Sequence, residues 1–268
     1  MIDKNIKLIV ADIDSTLVEK YQNISEYERQ IIIKVREKGI LFGLASGRPL
    51  YHCKDLCKKW RLPVDVLICN NGCNIYVKAT DKEYDYDFLE PEWCKEIIDL
   101  MEPFDANIMM YFDNSNYCSK EDVMVKKAGN AYNYKYVIVD DLSIFYRKIE
   151  KLMFRIDEDK MDLVESKIKE HRSKNYKGFR TQPTMLEYCA INVSKGNALK
   201  KLEKILGVSC ENMCAIGDTE NDDDMIKIAG LSVCMLNGSD STKKVADQIT
   251  EYDCTHDGVG HFIEDYIL

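Results

Sequence analysis

Three short runs near the start of the chain, Lys7 to Ala11, Ile40 to Ala45 and Val66 to Cys69, are apolar almost throughout and show no alternation with polar residues. A strand with one solvated face alternates, whereas a strand buried on both faces does not. The runs therefore predict a parallel sheet covered by helices on both sides. The segments between them agree. Ser25-Glu26-Tyr27-Glu28 is a capping box that opens a helix, and Gly39 ends it after Arg36 and Lys38. Pro49 suits the first turn of a second helix running to about Trp60, and Asn70-Asn71-Gly72 is a turn signal. The rhythm returns near the other end. A helix over Asn197 to Leu206 is ended by Gly207, Met213 to Ile216 reads as a strand, and a helix over Asp222 to Ala229 is closed by Gly230. Leu231 to Met235 is the last strong strand.

The texture changes from about Thr80, where Asp, Glu, Tyr and Lys become dense. Strands over Asn107 to Phe112 and Lys151 to Ile156 alternate with amphipathic helices. In Met161 to His171, the residues Leu163, Val164, Ile168 and His171 fall near one face. Gly178 to Gln182 and Met185 to Ala190 flank Pro183-Thr184, which predicts a hairpin. Residues 82–187 read as an α+β insert in a core made of residues 1–81 and 188–268.

Composition narrows the function classes. The chain has 268 residues and a net charge of −9, and its paired lysines, such as Lys200-Lys201, form no basic patch. A nucleic-acid partner is not expected. The longest apolar runs are strand-sized, so no membrane span is expected. Met1-Ile2-Asp3-Lys4-Asn5 lacks the build of a signal peptide, which points to a cytoplasmic protein. The eleven cysteines include no C-x-x-C pair and only four histidines accompany them, so reduced, mostly buried thiols are expected rather than a zinc site. The oligomeric state is not readable.

Polar clusters stand at the strand ends, where open α/β sheets bind ligands. Asp12-Ile13-Asp14-Ser15-Thr16 follows the first strand, and two carboxylates converging there would suit Mg²⁺, which prefers oxygen ligands. Ala45-Ser46-Gly47-Arg48 ends the second strand with a hydroxyl, backbone N–H groups and a helix start, a combination that suits an anion. Lys195 begins a helix, where a cation opposes the dipole, and it is a candidate point charge for a phosphoryl group. Gly217 to Asp224 carries five carboxylates in eight positions, more than helix capping requires. Together the clusters hold what phosphoryl transfer to a carboxylate needs: a nucleophile, a second acid, a hydroxyl, a cation and a metal site.

This arrangement resembles the haloacid dehalogenase superfamily, and within it the Cof-type phosphatases with a large α/β cap. The signature motifs stand at Asp12 to Thr16, Ser46, Lys195 and Gly217 to Asp222. Asn70-Asn71-Gly72, Val193-Ser194-Lys195-Gly196-Asn197-Ala198-Leu199 and Asp257-Gly258-Val259 are further family-like phrases. The resemblance implies an α/β fold: a Rossmann-like doubly wound parallel core with the insert as cap. Two positions depart from the pattern. Ser15 stands where Gly is usual, and Ser46 where Thr is commoner.

Carried over residue by residue, the resemblance implies Asp12 as nucleophile and Asp14 as general acid and base. It gives Ser46, Asn221 and Lys195 as phosphoryl ligands, with Gly47 and Arg48 on the substrate side. Mg²⁺ would be held by Asp12, the Asp14 backbone carbonyl and Asp218, while Asp222 would serve the outer shell or orient Lys195. The implied partner is a small phosphate ester. Tyr111, Tyr117, Arg180 and Glu187 are candidates for substrate contact in the insert. A phosphosugar mutase shares these motifs and is the competing enzyme class. A non-catalytic phosphate-binding module is the competing class outside enzymes.

Overall fold

The computed structural model describes residues 5–20, 22–132 and 136–268. Residues 1–4, read above for leader character, lie outside that set. The chain separates into two compact units, Met1–Tyr86 with Val193–Leu268, and Asp87–Asn192.

The first unit opens with β1 (Leu8–Ala11), α1 (Glu26–Glu37), β2 (Leu41–Ala45), α2 (Leu50–Trp60), β3 (Val66–Cys69), β4 (Asn74–Val77) and β5 (Lys82–Asp85). The Ser25 Oγ accepts from the Glu28 amide at 2.9 Å and caps α1. The reciprocal half of the capping box does not form, because the buried Glu28 carboxylate accepts instead from the Gly260 amide at 3.0 Å.

The second unit holds α3 (Pro91–Met101), β6 (Asn107–Phe112), β7 (Ser115–Cys118), α4 (Val123–Tyr132), β8 (Tyr136–Ile138), β9 (Lys151–Arg155), α5 (Met161–Glu170), β10 (Tyr176–Gln182) and β11 (Met185–Ala190). Its sheet runs β10-β11-β9-β6-β7-β8 and is antiparallel except between β7 and β8. One face packs Ile108, Met110, Leu152, Phe154 and Leu186 against Ile97 and Ile98 of α3 and Met161 and Val164 of α5. Leu163, expected on that face, points to solvent at 65% exposure. The expected hairpin joins β10 to β11.

The chain returns to the first unit with α6 (Lys195–Leu206), β12 (Met213–Gly217), α7 (Asp223–Ile228), β13 (Leu231–Cys234), α8 (Asp240–Lys243), β14 (Gln248–Ile249) and α9 (Gly258–Tyr266). The eight-stranded sheet runs β14-β13-β12-β1-β2-β3-β4-β5. Alternate residues feed two cores, as strands buried on both faces require. Ile9, Phe42, Leu44, Leu67 and Ile216 pack with α1, α2 and α9. Leu8, Val10, Val66, Ile68 and Ala215 pack with Leu199 and Leu202 of α6 and Met225 of α7.

Two expectations need correction. The sheet is parallel only from β14 to β3, since β4 and β5 return antiparallel. The insert boundaries also lie five residues later than expected, at Asp87 and Asn192 rather than 82 and 187. The reason is strand pairing. β5 bonds to β4 in the core sheet, whereas β11 runs to Ala190 in the other sheet, and Ile191 donates to the Asn175 carbonyl at 2.9 Å. Among the described residues no helix is long and apolar enough to cross a membrane.

Candidate active site

Register sets the site. β1 is flanked by parallel partners on both sides, with Ala11 opposite Ile216 of β12 and opposite Leu44 of β2. The residues that follow these strands must therefore emerge side by side. Asp12 leaves β1, Ser46 leaves β2 and Asp218 leaves β12 at the same carboxyl edge.

Asp12, Asp218 and Asp222 are buried, and ligand atoms of all three lie within 4.8 Å of one another. Lys195 stands among them with its side chain fully buried. Its Nζ donates to Asp12 Oδ1 and Asp222 Oδ1, each at 2.5 Å. Ser194 caps α6 and so places Lys195 in the first turn. A Cβ on Gly196 would lie 2.5 Å from the Asp224 carbonyl, so the close approach of α6 to α7 that brings Lys195 onto Asp222 depends on glycine there. Asp222 engages both carboxylate oxygens. Its Oδ2 accepts from the amides of Asp218 at 3.0 Å and Thr219 at 3.3 Å.

Burial drives the electrostatics. It pushes the Asp12 carboxyl well above the usual range. Asp222 and Asp14 add to the rise, and Lys195 opposes it. Asp218 is likewise held high by burial, with Asp12 and Asp222 adding to it. For Lys195 burial alone would lower the pKa, but Asp12 and Asp222 outweigh it and the ammonium is held firmly charged.

Asp14 is outside this cluster. Its carboxylate forms a two-point pair with Arg48, from Nη2 at 2.7 Å and Nε at 2.9 Å. Ser46 is buried, and its Oγ accepts from the Arg48 amide at 3.2 Å, while the half-buried Gly47 lies between them. Asn221 is exposed, with its Oδ1 accepting from Thr219 Oγ1 at 2.6 Å, and does not join the buried group. Thr16, the last residue of the first motif, joins the site although the motif reading assigns it no role. It is fully buried, and its Oγ1 donates to Asp218 Oδ1 at 2.9 Å. The signal for it was a small hydroxyl inside an acidic motif.

In the second unit Glu187 is buried and paired with Lys151 at 2.9 Å, and the Lys151 ammonium lies 5.6 Å from the Tyr111 ring centroid. Arg180 turns to Glu165 at 3.7 Å and to the Pro183 carbonyl at 3.0 Å. Tyr117 packs at the edge of the apolar cluster.

The family model of the haloacid dehalogenase-like hydrolases matches residues 9–263. The chain is 30% identical over 272 residues to the 5-amino-6-(5-phospho-D-ribitylamino)uracil phosphatase YcsE of Bacillus subtilis, across 99% of this chain and 98% of the relative. A haloacid dehalogenase-like hydrolase structure from Bacteroides thetaiotaomicron superposes with a TM-score of 0.84 at 29% identity, covering 97% of this chain and 98% of that one. A structure from Thermotoga maritima gives 0.84 at 27% identity and 98% of both chains. The chain belongs to the haloacid dehalogenase-like hydrolases, in their Cof-type branch of phosphoric monoester hydrolases.

Proposed function

We propose that the chain is a Mg²⁺-dependent phosphatase that hydrolyses small phosphorylated metabolites, sugar phosphates or similar, through an aspartyl-phosphate on Asp12. The observation that carries this reading is the buried Lys195 set between Asp12 and Asp222, with Asp218 beside them and Asp14 on the adjoining turn.

In the first step an Asp12 carboxylate oxygen attacks phosphorus, the bond to the leaving oxygen breaks, and Asp14 gives that oxygen a proton. In the second, water attacks the acyl phosphate and loses a proton to Asp14. The bond from phosphorus to Asp12 breaks, releasing phosphate and regenerating both carboxyl groups. As the structure stands Asp14 is paired with Arg48, so it must leave the guanidinium to reach the leaving group. Lys195 and Ser46 are assigned to the phosphoryl oxygens. Asn221, exposed on the segment between β12 and α7, is assigned to the same phosphoryl group.

The donor set suits Mg²⁺: hard carboxylate oxygens, crowded and buried until their carboxyls are held high. One oxygen of Asp12 is taken by Lys195 and one of Asp218 by Thr16, which leaves each a second oxygen for the ion. The Asp14 carbonyl completes the set in our reading, and Asp222, with both oxygens engaged, orients Lys195 instead. Bound Mg²⁺ would neutralise charge shared by these carboxylates and the phosphoryl group.

All four motifs lie in the first unit, so we assign the chemistry to it and the choice of leaving group to Asp87–Asn192. The substrate named for YcsE heads the panel for testing. The test is release of phosphate from a metabolite panel with and without excess EDTA. Expected is Mg²⁺-restored hydrolysis and, with a hexose 1-phosphate, free phosphate rather than the 6-isomer. Full turnover in verified absence of metal would defeat the metal assignment, and the 6-isomer would make the protein a mutase.

A further inference from the structure

Ser15 takes a φ of +66°, in the left-handed region that a Cβ disfavours and glycine tolerates. It stands between Asp14 and Thr16, so its backbone sets where both side chains go. Its two backbone groups are held. The Ser15 amide donates to the Val18 carbonyl at 2.7 Å, and the Ser15 carbonyl accepts from Asn237 Nδ2 at 2.8 Å.

Asn237 is itself fixed from the opposite side of the site. Its loop follows β13, where Met235 donates to the Gly217 carbonyl at 3.0 Å and Ser239 to the Asp218 carbonyl at 2.8 Å. Its own Oδ1 accepts from the Cys254 amide at 2.9 Å. The Ser15 turn is therefore tied twice to the strand end that carries Asp218, once by Thr16 to the Asp218 carboxylate and once by Asn237.

We propose that Asn237 is a positioning residue for phosphoryl transfer, holding Ser15 in the left-handed turn that aims Asp14 and Thr16. This rests on the phosphatase reading above. The side chain is exposed and uncharged, and it reaches the motif through the backbone of Ser15 while its Oδ1 anchors it to the Cys254 amide. The tie matters in this chain because residue 15 carries a Cβ. With glycine at 15 the turn would need no such restraint.

The test is a double-mutant cycle of Asn237→Ala and Ser15→Gly, read in kcat, KM and thermal midpoint. Asn237→Ala is expected to lower kcat about tenfold with KM little changed, since misplacing a catalytic group costs rate rather than binding. Ser15→Gly alone should stay close to wild type, and the double variant should recover to within about threefold of it. On Asn237→Ala the thermal midpoint should fall by about 3 °C when Ser15 is present and by less when Ser15→Gly is already in place. A role confined to tying down the Cys254 loop would not be relieved by glycine at 15. An Asn237→Ala enzyme with unchanged kcat, or a double variant as slow as Asn237→Ala, would overturn the proposal. The thermal cycle needs no turnover, so a wild-type protein without phosphatase activity would sink the functional reading and leave the Ser15–Asn237 coupling measurable.

Discussion

The ammonium of Lys195 lies 2.5 Å from Oδ1 of Asp12, and neither side chain is more than 9% exposed. The pair is held by strand register and a helix start, and a second carboxylate, Asp222, holds the ammonium from another side at the same distance.

Replacing Lys195 with Met should therefore leave three buried carboxylates without their cation. Breaking a buried pair by removing one partner costs about 3–5 kcal/mol, and the carboxyl groups left behind take up protons in response. Thermal unfolding at neutral pH should show the loss, and initial rates should fall by about a thousandfold. A Lys195→Met protein as stable and active as wild type would remove Lys195 from the account.

Gly217→Ala tests the placement of Asp222. A Cβ there would lie 2.5 Å from the Asp222 Cβ and 2.7 Å from its Oδ2, so the side chain that orients Lys195 must shift. The expected cost is about 1–3 kcal/mol of stability, together with a fall in kcat larger than any change in KM. Unchanged kcat would mean that Asp222 tolerates displacement.

Glu28 gives a pH signature away from the site. Burial pushes its carboxyl up to about 8, while the Gly260 and Val259 amides at the start of α9 favour the ionised form. Because the folded-state value lies above the unfolded one, this carboxyl contributes fully at pH below about 4.5. Its contribution is lost as pH rises through the window to about 8. Glu28→Gln keeps an acceptor and removes the titration. The variant should gain on wild type across that window, by about 1–2 kcal/mol at its upper end. Thermal midpoints from pH 4.5 to 8 check it. A difference between the two proteins that does not change with pH would assign Glu28 a purely geometric role.

Asp12, Ser46 and Asp218 could be grouped from the sequence because each follows a run of buried residues, and parallel strands deliver such ends to one edge, whereas Lys195 comes from the first turn of α6 and is placed by its Ser194 cap and the close approach at Gly196. What the sequence hid has physical causes. β5 is short, charged and largely exposed, so it carries no burial signal, and the insert boundary was set five residues early. The pattern around Met161 to Glu170 put Leu163 on the packed face, although Met161 and Val164 anchor that helix. Glu28 fitted a capping box by spacing, but a tertiary partner at Gly260 took its carboxylate. Asn237 and the pairing of Asp14 with Arg48 depend on contacts 222 and 34 residues apart in sequence, which no local pattern encodes.

The most direct test of the central claim is to find the phosphoryl group on Asp12. Asp14→Asn should still be phosphorylated by an aryl phosphate, whose good leaving group needs little protonation, but it lacks the base for the second step. Mixing that variant with Mg²⁺ and an aryl phosphate should release a burst of about one equivalent of aryl alcohol per chain. After an acid quench, peptide mapping should place a phosphoryl adduct on the peptide containing Asp12. An adduct on another residue, or continued phosphate release with Asp12 unmodified throughout, would contradict Asp12 as the nucleophile.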